Sequence, residues 1–207
     1  MFQITRIDNK PTLNVPLKSK TRIRVSRCST MPVARVGLFY STSTGNTEAA
    51  AEWIQSKFSK HGEIAAPVDI CETNVSNLED YESLILGAPT WNTGADVGRS
   101  GTAWDDVMDE VSGLKLKGKK VAIFGCGDSV AYGDYFCDAI EELHSAVSKT
   151  GATLVGKTDT KDYSFEDSKA VVGGKFLGLP LDDDNEDDKT ESRVEKWCAQ
   201  LSKEGMK

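Results

Sequence analysis

The chain alternates between short apolar runs and stretches in which apolar side chains recur every three or four residues. Val33-Ala34-Arg35-Val36-Gly37-Leu38-Phe39-Tyr40 is a short apolar run ending in a polar loop. Ala50, Ile54 and Phe58, with Trp53, then keep a helical period, and Gly62 stands where that helix would stop. Ile64 to Ile70 reads as a weaker strand. Ser83-Leu84-Ile85-Leu86-Gly87-Ala88 is a continuous apolar run, the pattern of a strand buried on both faces. Trp104, Val107, Met108 and Val111 mark one face of a helix, and Val121-Ala122-Ile123-Phe124 the next strand. Phe136, Ile140, Leu143 and Val147 form a further helical stripe, stopped by Gly151, and Thr153-Leu154-Val155 a fifth strand. Val194, Trp197 and Leu201 make a closing helix with Thr190 as its N-cap. Strands and helices alternating in this way predict an α/β fold, a parallel sheet with helices on both faces and right-handed crossovers. Between Val155 and Thr190 the period fails, broken by Gly173-Gly174, Gly178 and Pro180 and followed by the acid run 182–188. Such a stretch inside a compact domain is usually functional or a surface insertion.

A length of 207 residues suits one domain, and no uncharged apolar run is long enough for a membrane-spanning helix, so insertion into a membrane is not expected. Charge divides the chain more sharply. Residues 1–31 carry seven bases (Arg6, Lys10, Lys18, Lys20, Arg22, Arg24 and Arg27) against the single acid Asp8, so a chain with a net charge of −7 has −13 on its remainder. Segment 1–31 has no period and the composition of an organelle transit peptide, so it is set apart from the fold at 32–207; an untargeted tail, or a start at Met31, are the other readings. The acidic remainder argues against nucleic acid and for basic protein surfaces as partners. Five cysteines without a CxxC pair, and two histidines, support neither zinc nor an iron–sulfur centre, and fit reduced, mostly buried thiols.

Ligands of open parallel sheets bind beyond the carboxyl ends of the strands, and three loops there have unusual composition. Ser41-Thr42-Ser43-Thr44-Gly45-Asn46-Thr47 follows the first strand and opens the first helix with five hydroxyls and no base. A helix N-terminus with hydroxyl donors can hold a phosphomonoester, whereas a triphosphate site of the P-loop kind would want a lysine. Pro89-Thr90-Trp91-Asn92-Thr93-Gly94 ends the third strand and places an indole on a loop, where it can stack on a flat ring. Gly125 to Asp134 supplies a second ring, Tyr132, with Asp128 and Asp134. Together the loops describe a pocket with a phosphate end and two aromatic walls.

The segments GLFYSTSTGNTE, LILGAPTWNTG, FGCGDSVAYGDYFCDAI, DSKAVVGGKFLGLPLD and WCAQL resemble the flavodoxin family, and its long-chain cyanobacterial and algal members most closely. The resemblance covers roughly residues 33–205. It implies a flavodoxin-like, three-layer doubly wound fold with a five-stranded parallel sheet in the order 2-1-3-4-5. Lys157 to about Leu181 would be the long-chain insertion that interrupts the fifth strand. It further implies non-covalent FMN, with Thr42, Ser43, Thr44, Asn46 and Thr47 at the phosphate and Trp91 and Tyr132 on either side of the ring. Asn92, Thr93, Gly94, Cys126, Gly127 and Asp128 would meet the ring edges, and the cofactor-binding set extends to Ser41, Gly45, Pro89, Thr90 and Asp134. Cys126 stands where the family commonly has threonine or leucine, Asn46 where some relatives have lysine, and Ala95 to Thr102 is longer than in the cyanobacterial proteins.

The same resemblance implies a monomeric one-electron carrier, not an enzyme, cycling FMN between quinone, semiquinone and hydroquinone. A backbone carbonyl near Asn92-Thr93 would turn toward the reduced ring. Electrons would pass from photosystem I to ferredoxin–NADP reductase in the chloroplast stroma, or in the cytoplasm if the basic segment is no address. Asp105, Asp106, Asp109, Glu110, Asp128, Asp134, Asp138 and the 182–188 run would steer basic partners. An FMN-dependent quinone reductase is the main alternative, but it needs a basic site for a nicotinamide phosphate that the loops do not offer. A phosphoryl-receiver domain would need acids after the first strand, where this chain has Ser and Thr.

Overall fold

The first apolar run becomes β1 (Val36–Tyr40), buried along its whole length, in a computed structural model that describes residues 35–207. The basic segment 1–31, and the targeting role expected of it, lie outside the described residues. Helix α1 (Asn46–Phe58) follows, then the short β2 (Val68–Asp69), β3 (Ser83–Pro89), α2 (Ala103–Ser112) and β4 (Lys120–Cys126). Helix α3 (Ala139–Ser148) leads to β5 (Thr153–Val155), and α4 (Asp187–Lys203) closes the chain. The strands pair in parallel in the order β2-β1-β3-β4-β5.

Alternation along the strands divides the core into two layers. Leu84 and Leu86 of β3 and Val121 and Ile123 of β4 face α2 and α3, where Trp104, Val111, Ile140, Leu143 and Val147 meet them. Ile85, Ala122 and Phe124 face the other way, onto Ile54 and Phe58 of α1 and Val194, Trp197 and Leu201 of α4. Leu84, Ile85 and Leu86 are wholly buried, each contributing about 1.5–3 kcal/mol by leaving water. Two core tryptophans find acceptors for their indole N–H: Trp104 at the Gly87 carbonyl, 2.7 Å, and Trp197 at the Gly156 carbonyl, 2.7 Å.

The interrupted fifth strand differs in its limits from the expectation. Strand β5 pairs with Lys120–Ala122 of β4, and β9 (Leu179–Leu181) pairs with Phe124–Cys126 of the same strand. The insertion therefore ends at Gly178, because Leu179, Pro180 and Leu181 return to the sheet as its second half. Between the halves, β6 (Thr158–Asp159), β7 (Val171–Val172) and β8 (Lys175–Phe176) form a small antiparallel sheet in the order β6-β8-β7. Helix α4 begins at Asp187, so Thr190 lies within its first turn rather than at the N-cap; its buried hydroxyl donates to Asp183. Of the expected second strand only Val68 and Asp69, and a bridge from Ile64 to Val36, pair with β1. Among the described residues no helix is long and apolar enough to cross a membrane.

Candidate functional site

Parallel register brings the strand tips level. Pro89 of β3 lies opposite Cys126 of β4, and Cys126 opposite Leu181 of β9. The loops leaving these tips therefore start side by side, and with the turn after β1 they enclose a cleft of about 560 Å³. From the first loop Thr44, Asn46 and Thr47 line it; from the second, Pro89, Thr90, Trp91 and Thr93. The third contributes Cys126, Gly127, Asp128 and Tyr132. Trp91 is 56% exposed and Tyr132 53% exposed, so both aromatic residues line the cleft instead of packing in the core.

Helix α1 opens into this cleft without a side-chain cap. Its N-cap is Gly45 at φ 100, a left-handed conformation that a Cβ would strain. The Thr42 hydroxyl accepts the Gly45 amide at 3.0 Å, while the first-turn amides of α1 keep the partial positive charge of a helix start. Thr47 is 1% exposed and its hydroxyl has no hydrogen-bond partner among the described residues. A buried hydroxyl left unpaired costs free energy unless a ligand completes it. Among the described residues no lysine, arginine or histidine lines the cleft, so an anion there would be held by neutral donors and the helix end.

Several expected residues stand behind the lining. Ser41 is buried and donates its amide to the Gly87 carbonyl at 3.1 Å. Thr42, Ser43 and Gly45 belong to the same turn as Thr44 but are not among the lining residues. The Asn92 side-chain amide donates to the Gly98 carbonyl at 2.8 Å, and the Asn92 backbone carbonyl accepts the Ala95 amide at 3.3 Å. Gly94 lies against the Tyr135 ring, where a Cβ would sit 3.4 Å from it. Asp134 is exposed on the 3-10 turn Gly133–Tyr135, away from the cleft lining. Thr90 serves structure as well as lining: its hydroxyl accepts the Ala139 amide at 3.0 Å and so caps α3.

A fourth loop completes the cleft, beyond the three expected from the sequence. Asp184 and Asn185, just past β9, line it opposite the first turn, where the Asn46 side chain reaches Asp184 at 3.4 Å. The apolar triplet Leu179-Pro180-Leu181 before the acid run was the available signal of a strand tip. Asp128 accepts the amides of Val130 and Ala131 and the Asn185 side chain at 2.8–2.9 Å. Burial raises its carboxyl, but these donors outweigh it and hold the group below its ordinary value. Burial pushes the Cys126 thiol up to about 12, and the Thr47 hydroxyl nearby, outside hydrogen-bond geometry, offsets this only in part. Burial also raises Asp183, against the hydrogen bond from Thr190.

Three carboxylates expected on a steering surface are engaged by the chain's own donors, Asp138 and Asp182 buried and Asp105 half-buried. Asp105 accepts the Ser100 hydroxyl at 2.6 Å and the Gly101 amide at 2.8 Å. Asp138 is 2% exposed and accepts the Lys169 amide at 2.7 Å, and burial raises its carboxyl. Asp182 is fully buried. Asp106, Asp109, Glu110, Asp134, Asp184, Asp187 and Asp188 remain exposed. Among the described residues no group of three or more His, Cys, Asp or Glu is placed to hold a metal ion.

Residues 38–197 match the family model described as Flavodoxin. The chain is 42% identical over 170 residues to a flavodoxin of Nostoc sp., covering 82% of this chain and 96% of that protein. It is 39% identical over 173 residues to flavodoxin 1 of Escherichia coli, with coverage of 83% and 95%. Among solved structures, Fusobacterium nucleatum flavodoxin bound to flavin mononucleotide aligns with a TM-score of 0.74 at 30% identity, over 83% of this chain and 99% of that one. With the sheet order, the cleft at the strand tips and the match across most of its length in agreement, the chain belongs to the flavodoxin family.

Proposed function

We propose that residues 32–207 form an FMN-binding domain that works as a monomeric one-electron carrier. Flavodoxins are electron-transfer proteins, and FMN when bound supplies the one-electron chemistry. The observation that carries the reading is the unpartnered, buried Thr47 hydroxyl beside an uncapped helix start. With Thr44 and Asn46, and with Thr42 and Ser43 of the same turn, it suits a phosphate held without a base. Trp91 and Tyr132 would hold the ring between them, and Cys126, Gly127 and Asp128 would border it. Asp128, kept ionised by its three donors, adds negative charge at that border and makes a further negative charge there costly. A nicotinamide-phosphate site, which a quinone reductase of this fold would require, is not supported by a lining without a basic side chain among the described residues.

By the same reading the partners are basic redox proteins, ferredoxin–NADP reductase as acceptor and photosystem I as donor. The basic composition of residues 1–31 supports a place in the chloroplast stroma. Exposed acids at the α2 surface and the start of α4 would speed encounter with such partners at low salt. The test is to purify the protein, add FMN, and follow the visible spectrum through stepwise reduction in a potentiometric titration. Uptake of FMN and two separated one-electron steps are expected; a protein that stays colourless overturns the reading. Stopped-flow transfer to ferredoxin–NADP reductase should slow as ionic strength rises, and rates indifferent to salt would exclude steering.

A further inference from the structure

The longer segment between Trp91 and α2 is not a loose rim. Its carbonyl at Arg99 accepts two consecutive amides, Trp91 and Asn92, both at 3.1 Å. Gly101, at φ 63, lies so close beneath the indole that a Cβ there would come within 2.8 Å of the Trp91 Cβ. The base of the aromatic wall thus rests on residues 99–101.

Those residues are in turn fixed from helix α3. The Glu142 carboxylate accepts the Gly98 amide at 2.8 Å with one oxygen and the Arg99 amide at 2.9 Å with the other. Arg99 is buried, 9% exposed. Its guanidinium donates to Glu141 at 2.6 Å and to the carbonyls of Ala95 and Asp96 at 3.2 and 3.0 Å. A planar fork that joins one carboxylate to two carbonyls fixes a loop as a lysine point charge cannot. The Ser145 hydroxyl holds the other Glu141 oxygen at 2.5 Å. From the far side, α2 contributes Asp105 to the Gly101 amide at 2.8 Å.

The geometry points to Arg99 as a positioning residue: clamped by Glu141 and Glu142, it sets the place of the Trp91 ring in the cleft without touching the ligand. This rests on the reading that the cleft holds FMN, which it deepens by naming what holds one wall. Nothing local in the sequence marks Arg99, because its carboxylate partners lie 42 and 43 positions away.

The ligand-free protein gives a first readout. In Arg99→Gln, hydrogen exchange at the Trp91 and Asn92 amides should quicken by about tenfold or more, as a local opening becomes easier. Arg99→Lys should restore it only in part. In the FMN-loaded protein both variants should shift the reduction potentials and weaken FMN binding, again by about tenfold for Arg99→Gln. Leu201→Ala, a cavity at the opposite end of α4, is the control: it lowers the melting temperature and should leave exchange at Trp91 and the potentials unchanged. Should Arg99→Gln fail to fold, Arg99→Lys and Glu142→Gln carry the same test. Unchanged exchange and potentials in folded Arg99 variants, or equal changes in Leu201→Ala, would overturn the proposal. If the wild-type protein takes up no FMN, the functional reading fails instead, while the exchange measurement still decides the role of Arg99.

Discussion

The buried Asp182 carboxylate accepts the Ser129 amide at 3.0 Å, tying the tip of β9 to the loop after β4. Asp182 also accepts the Asn185 amide at 3.1 Å and its side chain at 2.9 Å, and Asn185 reaches on to Asp128 at 2.8 Å. One internal carboxylate therefore organises two of the four loops around the cleft. Asp182→Ala removes the acceptor that these partly exposed donors share and should cost about 1.5–3 kcal/mol of stability, the scale of hydrogen bonds to a charged group. Asp182→Asn keeps one acceptor oxygen and should cost less. Urea unfolding of both variants, with an FMN titration beside it, would decide; equal stability of Asp182→Ala and wild type would exclude the role.

Trp91 and Tyr132 should behave differently from the other large aromatics. Each is more than half exposed, so Trp91→Ala and Tyr132→Ala leave the core intact and should hardly move the melting temperature of the ligand-free protein. Their FMN affinity should fall by about 1–3 kcal/mol each, the scale on which a flat ring stacks on an aromatic side chain. Trp104→Ala is the contrast, because it opens a cavity in the core and removes the 2.7 Å hydrogen bond to the Gly87 carbonyl, which keeps the Ser41 amide as a donor; about 3–5 kcal/mol of stability should be lost. Calorimetry of the three ligand-free variants, paired with fluorescence titration, separates the two classes.

How much of this could be read from the sequence depended on the range of the interaction. Trp91 could be told from Trp104 because it follows an apolar run and sits among turn residues, whereas Trp104 opens a helical stripe. The strand order rested on family resemblance, and the apolar runs themselves marked β1, β3 and β4 to within a few residues. Asp182 was illegible, because in a run of acids nothing local distinguishes the one carboxylate that faces inward. The same holds for Asp105 and Asp138, whose donors come from Gly101 and Lys169, on loops that only the fold brings near. The end of the insertion was misplaced because Gly178 and Pro180 look like loop punctuation, yet a strand at a sheet edge tolerates proline. Pro180 sits on β9, which pairs only with β4 within the sheet.

Thr47 offers a test in which two measurements move in opposite directions. Its hydroxyl is buried and unpartnered in the free protein, so Thr47→Val, which keeps the shape, should stabilise that form by up to about 1 kcal/mol. If the hydroxyl donates to a phosphate, the same change should weaken FMN binding by about 1.5–3 kcal/mol, the scale of a hydrogen bond to a charged group. Riboflavin, which lacks the phosphate, should bind both proteins alike. A parallel loss for riboflavin and FMN would place the hydroxyl at another part of the ligand.

Stability should fall on the alkaline side, and the groups responsible can be named. Burial pushes the Cys126 thiol from an ordinary 9.0 up to about 12 and the Cys198 thiol likewise to about 12. Burial, then the hydrogen bond to Glu48 at 3.0 Å, pushes the Tyr40 hydroxyl from 10.0 to about 12. In each case the unfolded chain gives up its proton first, so between the two values the native state binds more protons than the unfolded one. The stabilisation is complete below pH 9 and is lost from there up to about pH 12, with a slope of at most about 1.4 kcal/mol per pH unit for each proton. Tyr40→Phe removes one titrating group and should flatten the decline above pH 10, while Cys126→Ala should flatten it from pH 9 upward. Urea midpoints taken at intervals from pH 8 to pH 11 would show this; a stability that held level or rose across that range would mean these groups ionise in the folded chain as easily as in water.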